Sequence, residues 1–523
     1  MGTKKKIQIY DTTLRDGTQG EGMSLSLEDK LAIAKKLDEF GITYIEGGWP
    51  GSNPKDLAFF AAVKKKHFKN AKIAAFGSTR RFGVPVDKDE QVKLLLACGS
   101  SVVTIFGKSW DFHVREVFKV SLEENVAMIA DTISYLKHHK REVVYDAEHF
   151  FDGFRENPAY ALKTLHTAAV AGADLLCLCD TNGGSLPGQI TEALQRVRKS
   201  LPRMRFGIHC HNDSGLAAAN SLAAVQAGAV HVQGTVNGYG ERCGNADLTT
   251  IIPIIQQKLG IRIVAEKDLT RLTELSHFVA EVCNMPVVNG QPFVGASAFA
   301  HKGGIHVNAM MKNRRTYEHI KPKDVGNHTR FLISELSGKS NILVKSDELK
   351  LGLSKESKTT KTILGKIQDL ENLGYQFEAA EASLELLMKK ESGAYRKFFT
   401  ILDARVSAEN IGEGSSASRA TVKVRAGNKA KQIVAEGDGP IDALSKALLK
   451  SLSGFYPVLE GLRLTDYKVR VINSDAGTAA KVRVLIQFQH NGQTWATIGV
   501  SENIIEASWQ ALVDAVEYHL LMD

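Results

Sequence analysis

The chain has 523 residues, of which 43% are hydrophobic and 24% are charged. This length exceeds what one compact core accommodates and predicts two or three domains, while the composition is ordinary for a globular protein. No uninterrupted apolar run of about 18 residues occurs, so we expect no transmembrane span and no membrane partner.

The charge pattern bears on the class of partner. The formal net charge is +8, and basic residues are dispersed among acidic ones. Such a balance suits either nucleic acid or small anionic substrates. Because no RNP, helix-turn-helix or zinc-finger pattern stands out, we expect no nucleic-acid partner. The N-terminal MGTKKK leads into the strand-like IQIY without the apolar core of a secretory signal, and the six cysteines are scattered, so we expect a cytoplasmic protein with free thiols.

The first 260 residues alternate short strand-like runs with longer amphipathic ones. The predicted strands are Ile7–Leu14, Thr43–Glu46, Lys72–Phe76, Ser101–Phe106, Val143–Glu148, Leu175–Cys179, Phe206–His211 and Val230–Thr235. Helical patterns lie between them, as in Ser26–Phe40, Glu123–Lys137, Pro158–Gly172, Leu186–Ser200 and Gly215–Ala227. Eight strands, each followed by a helix, predict an α/β (β/α)8 TIM barrel. An open doubly wound sheet is the competitor, which the lack of GxGxxG in the first βα turn weakens.

The secondary-structure pattern of the sequence changes twice in the rest of the chain. Residues 276–395 are mostly helical and include the amphipathic Glu378–Lys390. After them, strands and a helix recur in the same order, at Thr421–Arg425, Gln432–Ala435 and Ile441–Ser451, then at Val482–Phe488, Thr494–Val500 and Ile504–Leu521. We interpret this as a duplicated βββα unit. The predicted division is a catalytic barrel (1–275), helical linker subdomains (276–395) and a C-terminal α+β regulatory and dimerisation domain (396–523).

Polar residues gather at the predicted strand ends, where barrel enzymes carry their active sites. In IHCHNDSGL, His209 and His211 point to the same face of a strand, and Cys210 points away. Asp16 follows the first strand, and Asn245 lies in the loop after the eighth. One carboxylate and two imidazoles suit Zn, Mn, Fe, Co or Mg with positions open for substrate, and Asn245 could add a carbonyl oxygen.

Two further charged residues stand at this predicted rim. Arg15 reads either as a surface ion-pair partner of Asp16 or as a fixed positive charge facing a developing oxyanion. Glu148 reads as a substrate-holding acid, a proton shuttle or a buried partner of Arg15. An alternative for the whole set is a nucleic-acid or protein-binding module whose histidines are ordinary polar residues.

Several motifs together resemble those of one enzyme family. They are LRDGTQ, IHCHND, GYGERCGN, the segment His301–Gly326 and SELSGKSNI. The chain resembles the metal-dependent acyltransferases that comprise the 2-isopropylmalate, homocitrate and citramalate synthases, over nearly its whole length. HMG-CoA lyase-type relatives share only the first two motifs, so a metal-dependent aldolase or lyase is a more remote alternative.

The resemblance implies roles for individual residues. Asp16, His209 and His211 would hold a divalent metal (Mg, Mn, Zn or Co), with Asn245 in or next to its shell. Arg15 would stabilise an alkoxide, Thr181 would bind the substrate carboxylate, and Glu148 would support Arg15 and the acetyl group. His306 and Tyr317 would reach into the neighbouring subunit's site, which implies a homodimer.

The resemblance also implies the reaction. A base, either Glu148 or a water activated by His306, would remove a methyl proton from acetyl-CoA; the enolate would attack a 2-oxo acid, and the thioester would be hydrolysed. EGGWPGSNPKD and DTNGG resemble the citramalate branch, which uses pyruvate and serves isoleucine biosynthesis, and isoleucine is the expected feedback effector. A 2-isopropylmalate or homocitrate synthase acting on a larger 2-oxo acid is the alternative.

Overall fold

The structure is a computed structural model that describes residues 7–410 and 416–522. Its contacts divide the chain into two compact units. Of the described residues, the first unit holds 7–299 and 319–328, and the second holds 300–318 and 329–522. We describe each unit by itself, and the three-domain division predicted from the sequence stays a prediction.

The first unit is a closed parallel barrel, which confirms the predicted fold class and excludes the open sheet. Its strands are β1 (Gln8–Asp11), β2 (Tyr44–Gly48), β3 (Lys72–Ser78), β4 (Val102–Lys108), β5 (Glu142–Glu148), β6 (Leu175–Asp180), β7 (Phe206–Cys210) and β8 (His231–Gly234). Each strand pairs with the next, and β8 closes on β1 with His231 opposite Gln8. All the carboxyl ends of the strands therefore meet at one mouth.

Helices surround this barrel. They are α1 (Leu27–Phe40), α2 (Pro54–Val63), α3 (Glu90–Ala97), α4 (Asp111–His113), α5 (Leu122–His138), α6 (Phe150–Glu156), α7 (Pro158–Val170), α8 (Pro187–Ser200), α9 (Ala217–Ala227), α10 (Leu248–Pro253), α11 (Glu266–Leu269) and α12 (Leu272–Val282). Local sequence fixes their ends: a Ser26–Asp29 capping box begins α1, and Gly41 ends it at a φ of 101°.

Alternation along the strands separates two environments. On β7, Ile208 and Cys210 belong to the large apolar core that includes helix residues such as Ile190 and Leu194. His209, between them, hydrogen-bonds to Gln233 of β8 instead. The predicted opposite orientations of the histidine and Cys210 are therefore confirmed, because successive strand residues point to opposite faces.

The second unit begins with short strands and a helical segment. Its elements are β9 (Ala300–His301), α13 (Gly304–Lys312), β10 (Arg330–Phe331), α14 (Lys339–Glu348), α15 (Lys358–Asn372) and α16 (Glu381–Ser392). Ile342, Ile363, Ile367, Leu384 and Met388 form a common apolar core among α14, α15 and α16. The predicted helix Glu378–Lys390 thus begins three residues late and ends two residues late, as Glu381–Ser392.

The end of the chain contains the predicted duplication. The first copy is β11 (Thr400–Asn410), β12 (Ser416–Ala426), β13 (Lys429–Gly437) and α17 (Pro440–Leu452); the second is β14 (Arg463–Val471), β15 (Val482–His490), β16 (Gln493–Ser501) and α18 (Ile504–Met522). Each copy is an antiparallel three-stranded sheet followed by a helix. Both have a register shift at the same place, before Asp403 and before Asp466, which supports the common pattern. Among the described residues, the helices are too short or too polar to cross a bilayer.

Candidate active site

Three predicted metal ligands meet at the mouth of the barrel. The His209 Nε2 lies 3.5 Å, and the His211 Nε2 3.9 Å, from the same oxygen of Asp16, its Oδ2. The two imidazole Nε2 atoms are 3.3 Å apart. All three side chains are almost fully buried, so one small ion could contact them together.

A chain of hydrogen bonds orients His209. The His209 Nδ1 lies 3.0 Å from the Gln233 Oε1, and the Gln233 Nε2 donates to the Asp146 Oδ1 at 2.9 Å. Because Asp146 accepts from the amide nitrogen, the amide oxygen of Gln233 faces His209 and accepts the Nδ1 proton. The Nε2 lone pair is then free for a ligand, which is the usual outer arrangement around a metal-binding histidine.

Protonation states also suit a cation. Burial lowers the pKa of His209, and burial together with His209 lowers the pKa of His211 to about 4, so both rings are neutral at neutral pH. Burial raises the pKa of Asp16, but its neighbours, above all the positive charge of Arg15, outweigh it and lower the pKa to about 2. Neutral imidazoles beside an ionised carboxylate are the forms that bind metal.

Unpaired buried atoms point to the same conclusion. The Asp16 Oδ1 and the Asn245 Oδ1 are buried and have no hydrogen-bond partner among the described residues. Asn245 pairs with His211 through a backbone bridge, and its Nδ2 donates to the Tyr239 carbonyl at 3.1 Å. A buried acceptor without a donor is costly, and a bound cation would satisfy both oxygens. The residues present therefore fit a divalent metal.

Arg15 is held by Glu46, which sequence reasoning left out of the site. The Arg15 Nε donates to the Glu46 Oε2 at 2.6 Å, and the Tyr10 hydroxyl donates to the Glu46 Oε1 at 2.6 Å. Thr12 also donates to Glu46, which is fully buried. The guanidinium carbon lies 3.7 Å from the centre of the Phe76 ring. Arg15 therefore has little freedom, and it contacts Asp16 at 3.3 Å.

Glu148 has a different partner from the one expected. It lines the cleft, but its carboxylate pairs with Lys108, the residue opposite it in the β4–β5 register. In this structure Glu148 pairs with Lys108, and its expected support of Arg15 stays a prediction. Glu46 already occupies the Nε side of Arg15, and Lys108 lies opposite Glu148 on the neighbouring strand.

Thr181 and a loop arginine complete the polar rim. The Thr181 hydroxyl accepts the His149 N–H at 2.8 Å, and its carbonyl accepts from the Arg242 Nη2 at 2.8 Å. Arg242 also pairs with Asp213 at 2.7 Å. Both Thr181 and Arg242 line the cleft, so they offer a hydroxyl and a positive charge close to the three buried ligands.

Three aromatic side chains also line the cleft and form an aromatic wall. Trp49 meets Phe76 and Phe106 edge-on at 5.8 and 5.7 Å between ring centres, and the two phenylalanines stack at 5.5 Å. The Trp49 Nε1 donates to the Gln91 Oε1 at 2.9 Å, which fixes the indole. The cleft has a volume of about 240 Å³, and these rings form part of its lining together with Arg15.

The remaining predicted residues lie elsewhere. Among the described residues, those that line the cleft do not include His306 or Tyr317. These two lie in the second unit, where their rings stack with centres 4.2 Å apart. Both side chains are exposed, with Tyr317 exposed to 43%. They form a pair on an accessible surface of the second unit, and their expected reach into a neighbouring subunit's site stays a prediction.

Sequence reasoning gave Glu46 no role and missed Gln233, Phe76 and Phe106 as parts of the site. A signal existed for Gln233, because His231, Gln233 and Thr235 alternate with apolar residues and so point to one face of β8. Glu46 is a lone acid at the end of the apolar strand β2, which is equally unusual. Only the fold shows which partners these polar groups have.

Comparison with known proteins covers nearly the whole chain. Residues 6–279 match the HMGL-like family, residues 293–374 the homocitrate synthase post-HMGL domain-like family, and residues 378–520 the LeuA allosteric (dimerisation) domain. The first match spans the barrel and all the residues that line the cleft. The third spans the two βββα copies.

Full-length relatives narrow the assignment. The chain is 53% identical over 515 residues to the (R)-citramalate synthase of Geobacter sulfurreducens, covering 98% of this chain and 97% of that protein. It is 52% identical over 520 residues to the (R)-citramalate synthase of Aquifex aeolicus, covering 99% and 98%. A 2-isopropylmalate synthase of Methanocaldococcus jannaschii is 31% identical over 513 residues, covering 98% and 94%. The chain therefore belongs to the HMGL-like family, in its (R)-citramalate synthase branch.

Proposed function

We propose that this chain condenses acetyl-CoA with pyruvate and hydrolyses the thioester, giving (R)-citramalate and CoA, in isoleucine biosynthesis. One observation carries the proposal: Asp16, His209 and His211 meet in a cleft that Arg15 also lines. Water supplies the oxygen and proton that balance the hydrolysis. The enzyme is thus an acyltransferase that converts the acyl group into an alkyl group on transfer.

A divalent metal, of which Mg, Mn, Zn and Co are the candidates, belongs to this proposal. Asp16, His209 and His211 would hold it, with the unpaired Asn245 Oδ1 as a further oxygen donor. When bound, such an ion would act as a Lewis acid that polarises the keto group of a 2-oxo acid. Gln233 keeps His209 in the tautomer that this role requires.

Arg15 is the group that stabilises developing negative charge. Its Nε is committed to Glu46, so its remaining N–H groups are presented in a fixed direction at the cleft. A buried, fixed cation needs no rearrangement when an alkoxide forms at the keto carbon, and such electrostatic terms are often the largest in catalysis. Thr181 offers its hydroxyl to the carboxylate of the 2-oxo acid.

Removal of a methyl proton from acetyl-CoA requires a base. Glu148 lines the cleft, and Lys108 holds its carboxylate in place. A water activated by His306 is the second candidate, since His306 is exposed beside Tyr317. Each candidate acts as a positioned base, which contributes roughly 10²–10⁴-fold to the rate.

Pyruvate is the proposed 2-oxo acid because of the aromatic wall. Trp49, Phe76 and Phe106 pack against one another and close the cleft next to Arg15. A methyl group is the smallest alkyl substituent of a 2-oxo acid, and the bulkier isopropyl group of 2-oxoisovalerate would approach these rings more closely. Each added methylene then costs about 1–3 kcal/mol in discrimination.

The second unit has the proposed regulatory role. Residues 378–520 match an allosteric dimerisation domain, so we propose a homodimer in which His306 and Tyr317 complete the partner's site. Isoleucine, the end product of the pathway, is the proposed feedback effector. Sedimentation velocity tests the dimer, and isoleucine titration during turnover tests the effector.

The decisive experiment measures free CoA thiol. The protein is incubated with acetyl-CoA, Mg or Mn and, separately, pyruvate, 2-oxobutyrate, 2-oxoisovalerate and 2-oxoglutarate. Release with pyruvate far above the others, with citramalate as the product, is the expected result. Best release with 2-oxoisovalerate or 2-oxoglutarate would instead assign the isopropylmalate or homocitrate reaction. No release with any acid, together with cleavage of an added 3-hydroxyacyl-CoA, would favour a lyase.

A further inference from the structure

A second group of metal-ligating side chains lies in the barrel interior, beside the cleft. Asp146 of β5 and Cys177 and Cys179 of β6 place one carboxylate oxygen and two sulfur atoms within 4.8 Å of one another. All three side chains are buried, and none of them is a ligand at the predicted metal site. The barrel therefore offers three further ligand atoms to a single ion.

The strand register explains why these three groups converge. Cys177 and Cys179 are two residues apart on β6, so both thiols point to the inside of the barrel, where they belong to one cluster with Tyr10. Asp146 lies directly opposite Cys177 on β5. On the other side, Cys177 lies opposite Gly207 of β7, where a Cβ atom would be only 3.3 Å from the sulfur. A glycine at this position therefore leaves room for the thiol.

This group can be reached from the cleft. Asp146 and Cys179 line the cleft, and Cys177 lies two residues further from the mouth on the same strand. Gln233 donates to the Asp146 Oδ1 at 2.9 Å, so the Asp146 Oδ2 is the oxygen that remains for an ion. An ion that enters the cleft thus meets a carboxylate oxygen and a sulfur first, and water from the cleft can complete its shell.

The donor set selects the kind of ion. Burial raises the pKa of Cys177 well above its usual range, that of Cys179 to about 11 and that of Asp146 to about 8. An ion that binds here must therefore displace protons from the thiols, which Zn²⁺ and its heavier relative Cd²⁺ do because their bonds to thiolate are strong. Mg²⁺ and Mn²⁺ prefer oxygen ligands and do not compete for sulfur.

The spacing of the three atoms is close to that of a bound ion. Two sulfur ligands of a tetrahedral zinc, each about 2.3 Å from the metal, lie about 3.8 Å apart. The ligand atoms here lie within 4.8 Å of one another. Side-chain movements of at most about 1 Å would thus bring them to the distances of a zinc shell.

We propose that Asp146, Cys177 and Cys179 form a second cation site, which takes a thiophilic divalent ion, Zn²⁺ or Cd²⁺. Water from the cleft supplies the fourth ligand. The ion occupies the part of the cleft that Asp146 and Cys179 line, so it inhibits turnover even when another divalent metal saturates the first site. Ion binding is measured directly and does not depend on the proposed function.

Cadmium is the probe, because its NMR signal distinguishes an ion with sulfur ligands from one that only nitrogen and oxygen bind. The full-length protein is first saturated with Mg²⁺, which occupies oxygen- and nitrogen-rich sites, and is then titrated with Cd²⁺. The expected result is one signal at the position of an ion with two sulfur ligands, which added Zn²⁺ removes. A wild-type protein in which cadmium has only nitrogen and oxygen ligands would overturn the proposal.

Cys177→Ala and Cys179→Ala each remove one sulfur ligand. The two-sulfur signal should disappear in both, and cadmium affinity in equilibrium dialysis should fall at least as far as for loss of an outer-shell partner, about 10–100-fold. Cys283→Ala, a buried cysteine elsewhere, and Cys243→Ala, which removes the exposed thiol, are the matched controls and should keep the signal. Retention of the signal in both test variants, or its loss in Cys243→Ala, would contradict the assignment.

The thiol assay tests the inhibitory effect. With Mg²⁺ in excess, cadmium should inhibit CoA release by the wild type, and half-inhibition of Cys177→Ala should need at least about tenfold more cadmium, each relative to its own rate without cadmium. Equal sensitivity of the two proteins would overturn the inhibitory role. A protein that shows the two-sulfur signal but does not turn over pyruvate would retain the cation site while the proposed function fails.

Discussion

Buried polar groups have hydrogen-bond partners at one end of the barrel interior and lack them at the other, as the described residues show. Near the carboxyl ends of the strands, Glu46 accepts from Tyr10 and Arg15, and Gln233 links His209 to Asp146. Near the amino ends, His231 is fully buried between the rings of Tyr10 and Tyr44, at 5.2 and 5.7 Å between centres. Neither nitrogen of His231 has a hydrogen-bond partner among the described residues.

The difference separates a site from a packed core. His231 is accommodated as a neutral ring, since burial lowers its pKa to about 3. At the other end, Arg15 and Glu46 form an ion pair, and Arg15 helps to hold the pKa of Asp16 low despite burial. Keeping ionised groups in a barrel interior is costly unless they are paired, so the networked end is the one with a chemical role. The predictions below test this contrast, from the largest expected effect to the smallest.

Asp16→Asn should have the largest effect. The substitution removes the negative charge on which both Nε2 atoms converge, so we expect divalent-metal binding to be lost and CoA release to fall by at least about a thousandfold. Calorimetric Mn titration and the thiol assay measure the two effects. Asp475→Asn, an exposed residue of the second unit, is the control. Near-normal metal affinity in Asp16→Asn would remove this aspartate from the metal site.

Arg15→Lys tests whether a positive charge alone is enough or whether the fixed orientation of the guanidinium is also needed. Lysine retains the positive charge but loses the guanidinium geometry that joins Glu46 through Nε and stacks on Phe76. We expect kcat to fall about 100-fold while metal affinity changes little. Steady-state kinetics and metal titration on one preparation measure this. A lysine variant with wild-type kcat would show that charge alone suffices and that the Glu46 contact is only structural.

Gln233→Leu tests the orientation of His209 without substituting any of the proposed metal-binding residues. Losing the acceptor for Nδ1 should weaken metal binding about 10–100-fold. His231→Leu is the matched control. His231 is buried on the same strand, two residues before Gln233, and lies toward the amino ends of the barrel strands. Metal competition with a chelator gives the affinities. Equal loss in both variants would indicate general damage to the barrel.

His231→Phe should have the smallest effect, visible in stability alone. In the wild type the folded pKa of His231, about 3, lies below its ordinary value of 6.5, so the unfolded state takes up the proton first as pH falls. The free energy of unfolding therefore decreases between these pH values, by about 1.4 kcal/mol per pH unit from this residue. The phenylalanine variant should lack that contribution. Urea unfolding at pH 6.5, 5.5 and 4.5 compares the slopes, and identical slopes would contradict a neutral buried ring.

Much of this arrangement could be read from the sequence, because periodicity is local. The eight barrel strands, and the last two strands and the helix of each βββα copy, lie where the sequence pattern predicted them, with ends shifted by at most a few residues. The first strand of each copy, β11 and β14, was not located from the sequence. Asp16, His209 and His211 could be grouped because parallel strands end at one mouth. The ion pairs between side chains of different strands could not be predicted, because several partners were available to each charge. Arg15 bonds to Glu46, and Glu148 to Lys108, through contacts that only closure of the barrel decides.

The most direct measurement is an anomalous difference map from crystals of the protein soaked with Mn²⁺. A peak within about 2.0–2.3 Å of the Asp16 carboxylate and of both the His209 and His211 Nε2 atoms is the predicted result. A map in which manganese occupies another place, or in which these three side chains contact no ion at saturating Mn²⁺, would contradict the account.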